Sequence, residues 1–183
     1  KFFSNKPDKG SVKEFLIYNV SNRLYGIDVP KFKNKKDYDK LIIEILTWIK
    51  KNIKYISDSV QHKQLEYWQN SEETLIFKAG DCEDGAWLIH SLALNAGVDP
   101  ERLRTYGGVV AWQNEQGGLS AGGHAWSSYQ KESDNGWVVL DWCFFTTDAP
   151  LDNRLSMEAN SKYVDDYFFV TAKNTVDTPY TNG

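Results

Sequence analysis

The chain has 183 residues, of which 41% are apolar, 25% charged and 14% aromatic, and its formal net charge is −4. This length fits one domain, and 7 Trp, 10 Tyr and 9 Phe exclude a disordered chain, a class that contains few aromatic residues. The apolar runs are too short to span a membrane, and no basic-then-apolar leader is visible. The net charge excludes a generally basic nucleic-acid binder. We therefore expect neither a nucleic-acid nor a membrane partner, and leave the compartment open between virion-associated and cytoplasmic.

Charge is distributed unevenly along the chain. Residues 1–54 carry 13 Lys and Arg against 6 Asp and Glu, whereas residues 55–183 carry 8 against 19. The two parts either attract each other within one fold, or the basic part docks on an acidic or phosphate-bearing partner. The sequence predicts a basic helical segment over residues 1–54, a core over residues 55–148, and a strand with a polar tail over residues 149–183.

The first half of the chain reads as helical. A short helix is predicted within residues 12–25. A second, over residues 37–54, has an apolar stripe at spacings of three and four that is typical of a core-facing helix. The stripe consists of Ile42, Ile45, Leu46, Ile49 and Ile53.

A further helix is predicted over residues 82–95. Gly80 permits a tight turn before it, and Asp81 is a favoured residue type for the N-cap position. Gly97 is the expected residue after the last turn, and Pro100 lies beyond it.

After this helix the apolar period changes to two, which indicates strands at residues 104–112, 124–129, 137–144 and 167–172. Gly117-Gly118 and Gly122-Gly123 are expected to flank a loop, and residues 131–136 have the composition of a hairpin turn. Helices followed by antiparallel strands predict an α+β fold, with the helices packed on one antiparallel sheet.

Cys82 is the first candidate for chemistry, because it opens the predicted helix. The unpaired N–H groups and the macrodipole of a helix N-terminus stabilise a thiolate, and the same N–H groups can bind an oxyanion. The acidic residues Asp81, Glu83 and Asp84 oppose thiolate formation. Taken alone, Cys82 is as well explained as an ordinary small buried residue. With Cys143 as the other cysteine, the chain cannot form a disulfide scaffold, and a structural zinc site lacks its second ligand pair.

His124 and Asp141 complete the constellation. His124 follows two glycines, which leave room for a substrate, and Asp141 ends an otherwise apolar strand, where a carboxylate is costly unless it is paired. If the hairpin turn centres between Glu132 and Ser133, His124 lies directly opposite Asp141; a later turn shifts the pairing by a few residues. Otherwise Asp141 is a solvated strand-end carboxylate. Together, the three residues supply a nucleophile, a base and an orienting carboxylate.

These residues resemble the transglutaminase-like superfamily of papain-type cysteine enzymes. The resemblance runs from about residue 48 to residue 144. It rests on the runs Tyr67-Trp68-Gln69, Gly80-Asp81-Cys82-Glu83-Asp84 and Gly123-His124-Ala125-Trp126, and on the strand from Trp137 to Asp141. The superfamily fold is the transglutaminase-like, papain-like form of the α+β class predicted above.

The resemblance implies roles for particular residues. Cys82 is the expected nucleophile, His124 the general base and acid, and Asp141 the residue that orients the imidazole. The expected oxyanion hole consists of the Cys82 backbone N–H and a side chain, either Trp68 or Gln69, which are otherwise a core aromatic and a surface amide. No cofactor is required.

Two further features qualify the resemblance. Some relatives bind calcium beside the nucleophile, which Asp81 and Glu83 would do here, although solvated or capping acids explain these residues equally well. Many relatives have Pro after the orienting Asp, whereas this chain has Trp142-Cys143; we interpret Cys143 as a packing residue.

The principal functional hypothesis is a thiol hydrolase that cleaves an amide, peptide or isopeptide bond in a protein or peptide substrate through an acyl-enzyme on Cys82. A lysine amine in place of water would make the same chemistry a cross-linking transglutaminase reaction. The third hypothesis is a binding or assembly module that keeps an idle triad, such as a phage structural component within a larger protein or assembly. The residues before 54 and after 148 motivate it.

Overall fold

The computed structural model describes residues 28–144 and 149–177, together with residues 14, 19 and 24; at 165–166 and 175–177 it describes the backbone only. The helices within this part of the chain are α1 (Tyr38–Asn52), α2 (Asp58–Gln61), α3 (Ser71–Phe77) and α4 (Cys82–Ala96), with 3-10 turns at Pro100–Arg102 and Leu151–Asn153. The strands are β1 (Lys54–Tyr55), β2 (Ala79–Gly80), β3 (Leu103–Gln113), β4 (Leu119–Gln130), β5 (Trp137–Leu140), β6 (Tyr163–Val170) and β7 (Thr175–Asp177).

Helix α1 packs its predicted stripe into the main core. Asp37 caps the helix, its side chain accepting a hydrogen bond of 3.0 Å from the Lys40 N–H. Ile42, Ile45 and Ile49 have no exposed surface and share one cluster with apolar residues of α4 and of strands β3 to β5. Burial of each such side chain contributes roughly 1.5–3 kcal/mol to folding. Helix α1, which lies in the basic first part of the chain, is thus joined to α4 and the sheet through this core.

The sheet has the order β5-β4-β3-β6-β7, and every neighbouring pair is antiparallel. A separate parallel pair, β1 with β2, ties the end of α1 to the residues that precede α4. Helix α4 lies on one face of the sheet, where the Ser127 hydroxyl donates to the Ala86 carbonyl at 2.7 Å. The predicted α+β architecture, with helices on one antiparallel sheet, is confirmed.

The predicted element boundaries hold for α1, α4 and β3 to within a few residues. Gly122 and Gly123, expected at a loop, lie inside β4 because that strand continues to Leu119 in a long hairpin with β3. The third strand ends at Leu140 rather than residue 144, since a turn begins after Asp141. The fourth begins at Tyr163, and β7 was not predicted.

Two predictions meet the limits of the described residues. The helix expected over residues 12–25 lies largely outside them, as does the tail after residue 177. Among the described helices, none combines the length and the apolar character that a bilayer span requires.

Candidate active site

The N-terminus of α4 begins at Cys82, as the turn chemistry predicted. Asp81 is the N-cap residue, and its backbone N–H donates to the Asp84 carboxylate at 3.2 Å. A side chain at Gly80 would place its Cβ 2.6 Å from the Asp84 Cβ and 2.7 Å from the Gln69 Nε2, so only glycine fits this approach. The chain therefore enters the helix through a tightly packed turn that fixes the position of Cys82.

The sulfur of Cys82 lies near β4. The backbone N–H of Ala125, the residue that follows His124, is close enough to the sulfur to lower the pKa of the thiol. Strand β5 pairs with β4 only from Ser127 onward, which leaves this stretch of the β4 edge to the helix N-terminus. The start of α4 at Cys82 therefore lies beside the backbone that follows His124.

Cys82 is surrounded by groups that disfavour its thiolate. Burial is the largest cause that raises the pKa of the thiol, followed by the charge of Glu83 and a hydrogen bond of 3.0 Å from the sulfur to the Glu83 Oε2. The Ala125 N–H acts in the opposite direction. A thiolate at this position consequently needs a cation, either an imidazolium or a metal ion, to offset the neighbouring carboxylates.

His124 and Asp141 form a buried pair. The Nε2 of His124 lies 2.8 Å from the Oδ2 of Asp141, and the two residues are 5% and 1% exposed. Strands β4 and β5 do not pair in the register that would place His124 directly opposite Asp141. Ser127 faces Leu140 across β4 and β5, so Trp126 occupies the position opposite Asp141. Since the shift is two residues, His124 stays on the same face and reaches Asp141 diagonally.

Asp141 accepts two more hydrogen bonds. The hydroxyl of Tyr163 donates to the same Oδ2 at 2.6 Å, and the backbone N–H of Cys143 donates to Oδ1 at 2.8 Å. Burial raises the pKa of the Tyr163 hydroxyl, and the Asp141 charge raises it further. The carboxylate thus has three donors, which is how a protein stabilises an ionised group inside its core.

The turn after Asp141 is held against α4 by Trp142. Its indole nitrogen donates to the Cys82 carbonyl at 3.4 Å, and its ring lies where a Cβ on Gly85 would stand, with the nitrogen 2.0 Å away. Gly85 is therefore needed for the close contact between the helix and the Asp141 turn. The Cys143 thiol has its pKa raised, chiefly by burial and then by Asp141, and polar atoms of Cys143, His124 and Asp141 lie within 4.8 Å of one another.

The two side chains considered for the oxyanion hole are both engaged elsewhere. Gln69 is fully buried, and its amide donates to the Ala79 carbonyl and to the Asp84 carboxylate, which uses both amide hydrogens. The indole N–H of Trp68 donates to Glu66 at 2.9 Å. Either role for Trp68 or Gln69 stays a prediction, and would require these hydrogen bonds to be exchanged for the substrate oxygen.

An acidic cluster adjoins Cys82. Carboxylate oxygens of Asp58, Asp81 and Asp84 lie within 4.8 Å of one another, as do those of Asp58, Glu66 and Glu83. Among the described residues, the Oδ1 of Asp81 and the Oε1 of Glu83 are buried without a donor from another group, and the two side chains hydrogen-bond to each other when they share a proton.

The pKa values within this cluster follow from burial. Burial raises the pKa of Asp58 to about 6 and that of Asp84 to about 8, and it is also the largest cause that raises the pKa values of Asp81 and Glu83. Because buried unpaired carboxylate oxygens are costly, this donor set fits a hard cation such as calcium, which prefers carboxylate ligands.

Sequence reasoning missed Tyr163, Asp58 and Glu66. Tyr163 lay before the predicted start of its strand, and no local pattern connects it to Asp141. Asp58 lies in a polar segment that gave no period, although the Gly-Asp-Cys-Glu-Asp run did point to an acidic site. Both reach the site only through tertiary packing.

Comparison with solved structures shows the same fold in a bacterial protein. The structure of Legionella pneumophila LapG matches with a TM-score of 0.54 at 16% identity, covering 89% of this chain and 74% of that one. An EGTA-treated form matches with a TM-score of 0.55 at 15% identity, covering 92% and 75%. A calcium-bound form matches with a TM-score of 0.50 at 16% identity, covering 92% and 79%.

The sequence itself was compared with curated proteins and with family models. No curated protein matches. A family model described as a transglutaminase-like domain matches residues 19–144, which is more than half of the chain and includes Cys82, His124 and Asp141. The chain therefore belongs to the transglutaminase-like domain family.

Proposed function

We propose that this protein is a cysteine hydrolase that cleaves an amide or peptide bond in a protein or peptide substrate through an acyl-enzyme on Cys82. The observation that carries the proposal is the buried His124–Asp141 pair, whose histidine precedes Ala125, the residue whose backbone N–H lowers the pKa of the Cys82 thiol. Helix start, strand and turn thus supply a nucleophile, a base and an orienting acid.

The hydrogen bond to Asp141 decides which imidazole nitrogen is available. Since Nε2 of His124 is bonded to Asp141, Nδ1 is the nitrogen that exchanges protons with the substrate and with Cys82. The Cys82 proton passes to Nδ1 while the sulfur bonds to the carbonyl carbon and the π electrons move to oxygen. The Cys82 backbone N–H, at the first position of α4, is placed to stabilise that oxyanion.

Collapse of the tetrahedral intermediate breaks the C–N bond, and the imidazolium gives its proton to the leaving amine. Water then attacks the acyl carbon, losing a proton to His124, and the C–S bond breaks as the proton returns to sulfur. The acid and base steps both use His124, which is why its orientation by Asp141 matters at each stage.

Calcium is the cation that we propose for the acidic cluster. Asp58, Asp81 and Glu83 would hold it, because Asp81 and Glu83 each have a buried oxygen without a donor and Asp58 has a carboxylate oxygen within 4.8 Å of one from each of them. A calcium-bound form of the structurally similar LapG supports this choice of ion. When bound, the ion supplies positive charge that neutralises Glu83 and Asp81, the two carboxylates that raise the pKa of the Cys82 thiol.

The hydrolase proposal is tested with Cys82→Ala and Cys143→Ala, which remove the two cysteines one at a time. We expect wild type and Cys143→Ala to cleave members of a mixed peptide library, detected by mass spectrometry, and to lose this activity after iodoacetamide treatment. Cys82→Ala should be inactive. Equal activity in Cys82→Ala would refute the mechanism.

The same assay with an added primary amine separates the reaction types. Incorporation of the amine with release of ammonia would assign the acyl-enzyme to cross-linking instead. An alkylation-resistant Cys82 with no cleavage would favour the assembly module.

A further inference from the structure

Tyr163 contacts the candidate site from a strand that supplies none of its other members. Its side chain is 4% exposed and lies in the aromatic cluster with Tyr106 and Trp126 on the sheet face that carries His124. Its hydroxyl donates at 2.6 Å to the oxygen of Asp141 that also accepts from His124. We propose that Tyr163 is a positioning residue, which holds Asp141 in the orientation that directs His124 toward Cys82.

The geometry makes Tyr163 more than a packing residue. Without it, Asp141 would keep the Cys143 N–H at Oδ1 and His124 itself at Oδ2, so the carboxylate and the imidazole could turn together about the Cys143 anchor. With it, each carboxylate oxygen has a donor other than His124, one from the following turn and one from β6. The direction of Oδ2 is then fixed, and with it the plane of the imidazole.

Other groups around His124 do not duplicate this hydrogen bond. Phe144 meets the imidazole edge to face, with ring centroids 5.1 Å apart, and Lys162 lies over the Phe144 ring at 5.2 Å. Among the described residues, the thiol of Cys143 lies within 4.8 Å of polar atoms of His124 and Asp141. The Tyr163 hydroxyl therefore supplies the second anchor of Asp141 among the described contacts.

The test compares Tyr163→Phe with Tyr106→Phe. Tyr106 is buried in the same cluster, but its hydroxyl accepts from Arg104 rather than bonding to Asp141. In Tyr163→Phe we expect the alkylation rate of Cys82 by iodoacetamide at pH 7 to fall about tenfold, because a hydrogen bond to a charged group is worth about 1.5 kcal/mol or more. Tyr106→Phe should alkylate at the wild-type rate.

A second readout is independent of Cys82. The Nε2 proton of His124, observed by NMR, should exchange with water at least about tenfold faster in Tyr163→Phe and be unchanged in Tyr106→Phe. Wild-type exchange in Tyr163→Phe would refute the positioning role, whatever the effect on melting temperature.

The proposal rests on the proposed function only for its consequence at Cys82. If the wild-type thiol is unreactive while the exchange difference is present, the hydrolase proposal fails and the positioning role stands. If Tyr163→Phe does not fold, protein made with 3-fluorotyrosine, whose hydroxyl is a stronger donor, must show slower exchange of the His124 proton. Unchanged exchange in that protein would also refute the proposal.

Discussion

Two groups of buried carboxylates flank Cys82, and they differ in how their charge is stabilised. On the β4 side, Asp141 accepts hydrogen bonds from His124, Tyr163 and the Cys143 backbone. In the acidic cluster, Asp81 and Glu83 each keep a buried oxygen without a donor from the other described residues, and their side chains hydrogen-bond to each other when they share a proton. A buried charge costs several kcal/mol unless it is paired, so Asp141 is stabilised within the protein, whereas the acidic cluster requires a proton or a cation.

This difference gives the two groups different roles. A carboxylate with fixed donors can orient an imidazole through every step of a reaction, because nothing has to rearrange when charge develops. A carboxylate cluster with free oxygens has no such fixed state, and its condition depends on protons or cations in solution. In the candidate site, Asp141 is therefore stabilised by fixed hydrogen bonds of the protein, whereas the charge of the acidic cluster depends on protons and cations in solution.

The largest effect is expected from Asp141→Asn, which changes the carboxylate that is held by three hydrogen-bond donors. The substitution keeps the volume but removes the charge that stabilises the imidazolium and selects the tautomer. Peptide cleavage should fall by roughly 10³–10⁴-fold, as expected when the orienting acid of a triad is neutralised. The measurement is the cleavage rate of the library peptide that wild type cuts fastest, with circular dichroism to verify folding.

Asp39 of α1, which bonds to residues of the β4–β5 hairpin, offers a matched control for this substitution. Asp39 accepts the Tyr129 hydroxyl at 2.6 Å and the backbone N–H groups of Glu132 and Ser133, much as Asp141 accepts Tyr163 and Cys143. Asp39→Asn should lower the melting temperature without lowering the cleavage rate. A comparable loss of cleavage in both variants would mean that Asp141 acts only through stability.

Calcium should bind the acidic cluster and thereby stabilise the folded protein. At a concentration about 100 times its dissociation constant, a ligand adds about 2.7 kcal/mol to the free energy of unfolding, or roughly 5–10 °C in melting temperature for a chain of this size. We expect calcium to raise the melting temperature by this amount over EGTA-treated protein, and magnesium to do so much less. Asp58→Asn should lose the response, whereas Asp134→Asn, at an exposed carboxylate that pairs with Lys131, should keep it.

The pH dependence of the calcium effect has a definite sign. In the fold, the pKa values of Asp58 and Asp84 are raised to about 6 and about 8, above the value of an unfolded Asp. Their neutral forms therefore favour folding at low pH, and this stability is lost as the pH rises from about 4 to about 8. The calcium increment should grow over the same range; an increment that shrinks would contradict the assignment.

The sequence was informative where chemistry is local and uninformative where it depends on packing. The helix start at Cys82 could be predicted because Gly80, Asp81 and Gly97 each have a local conformational reason to be there. The His124–Asp141 contact was only suggested, since a hairpin turn composed of six polar residues does not determine its own register. The His124–Asp141 contact forms because the observed register differs from the predicted one by two residues. An odd shift would have turned His124 to the opposite face of the sheet.

Tyr163 and Asp58 are site residues that could not be predicted from the sequence, because each reaches the site through strand pairing. Tyr163 reaches Asp141 because β6 pairs with β3, a contact between residues more than fifty positions apart, with Val110 facing Tyr163. Asp58 reaches the Cys82 region because β1 and β2 bring two distant segments together. Neither pairing leaves a local signal in composition or period, so single-sequence reasoning could name the centre of the site but not what supports it.

The smallest effect concerns His90, a buried residue of α4 that contacts Thr105 of β3, and its pH dependence is opposite to that of the acidic cluster. Its Nδ1 is 2.9 Å from the Thr105 hydroxyl, its Nε2 is a buried atom without a partner among the described residues, and burial lowers its pKa to about 3. A lowered pKa means that the neutral form favours folding. This stability is present above the unfolded value near 6.5 and is lost as the pH falls toward 3, by at most about 1.4 kcal/mol per pH unit.

Removing His90 should therefore make the pH dependence of stability that the acidic cluster causes easier to detect. In EGTA-treated wild type, the loss at His90 below pH 6.5 offsets the gain from protonating Asp58 and its neighbours, which flattens the stability curve. His90→Gln, which keeps a polar group toward Thr105 but does not titrate, should unfold in urea with a stability that continues to rise as the pH falls from 6.5 to 5. If the free energy of unfolding of this variant depends on pH as that of wild type does, His90 does not offset the acidic cluster. The pH dependence below 6.5 must then include groups other than His90 and the cluster.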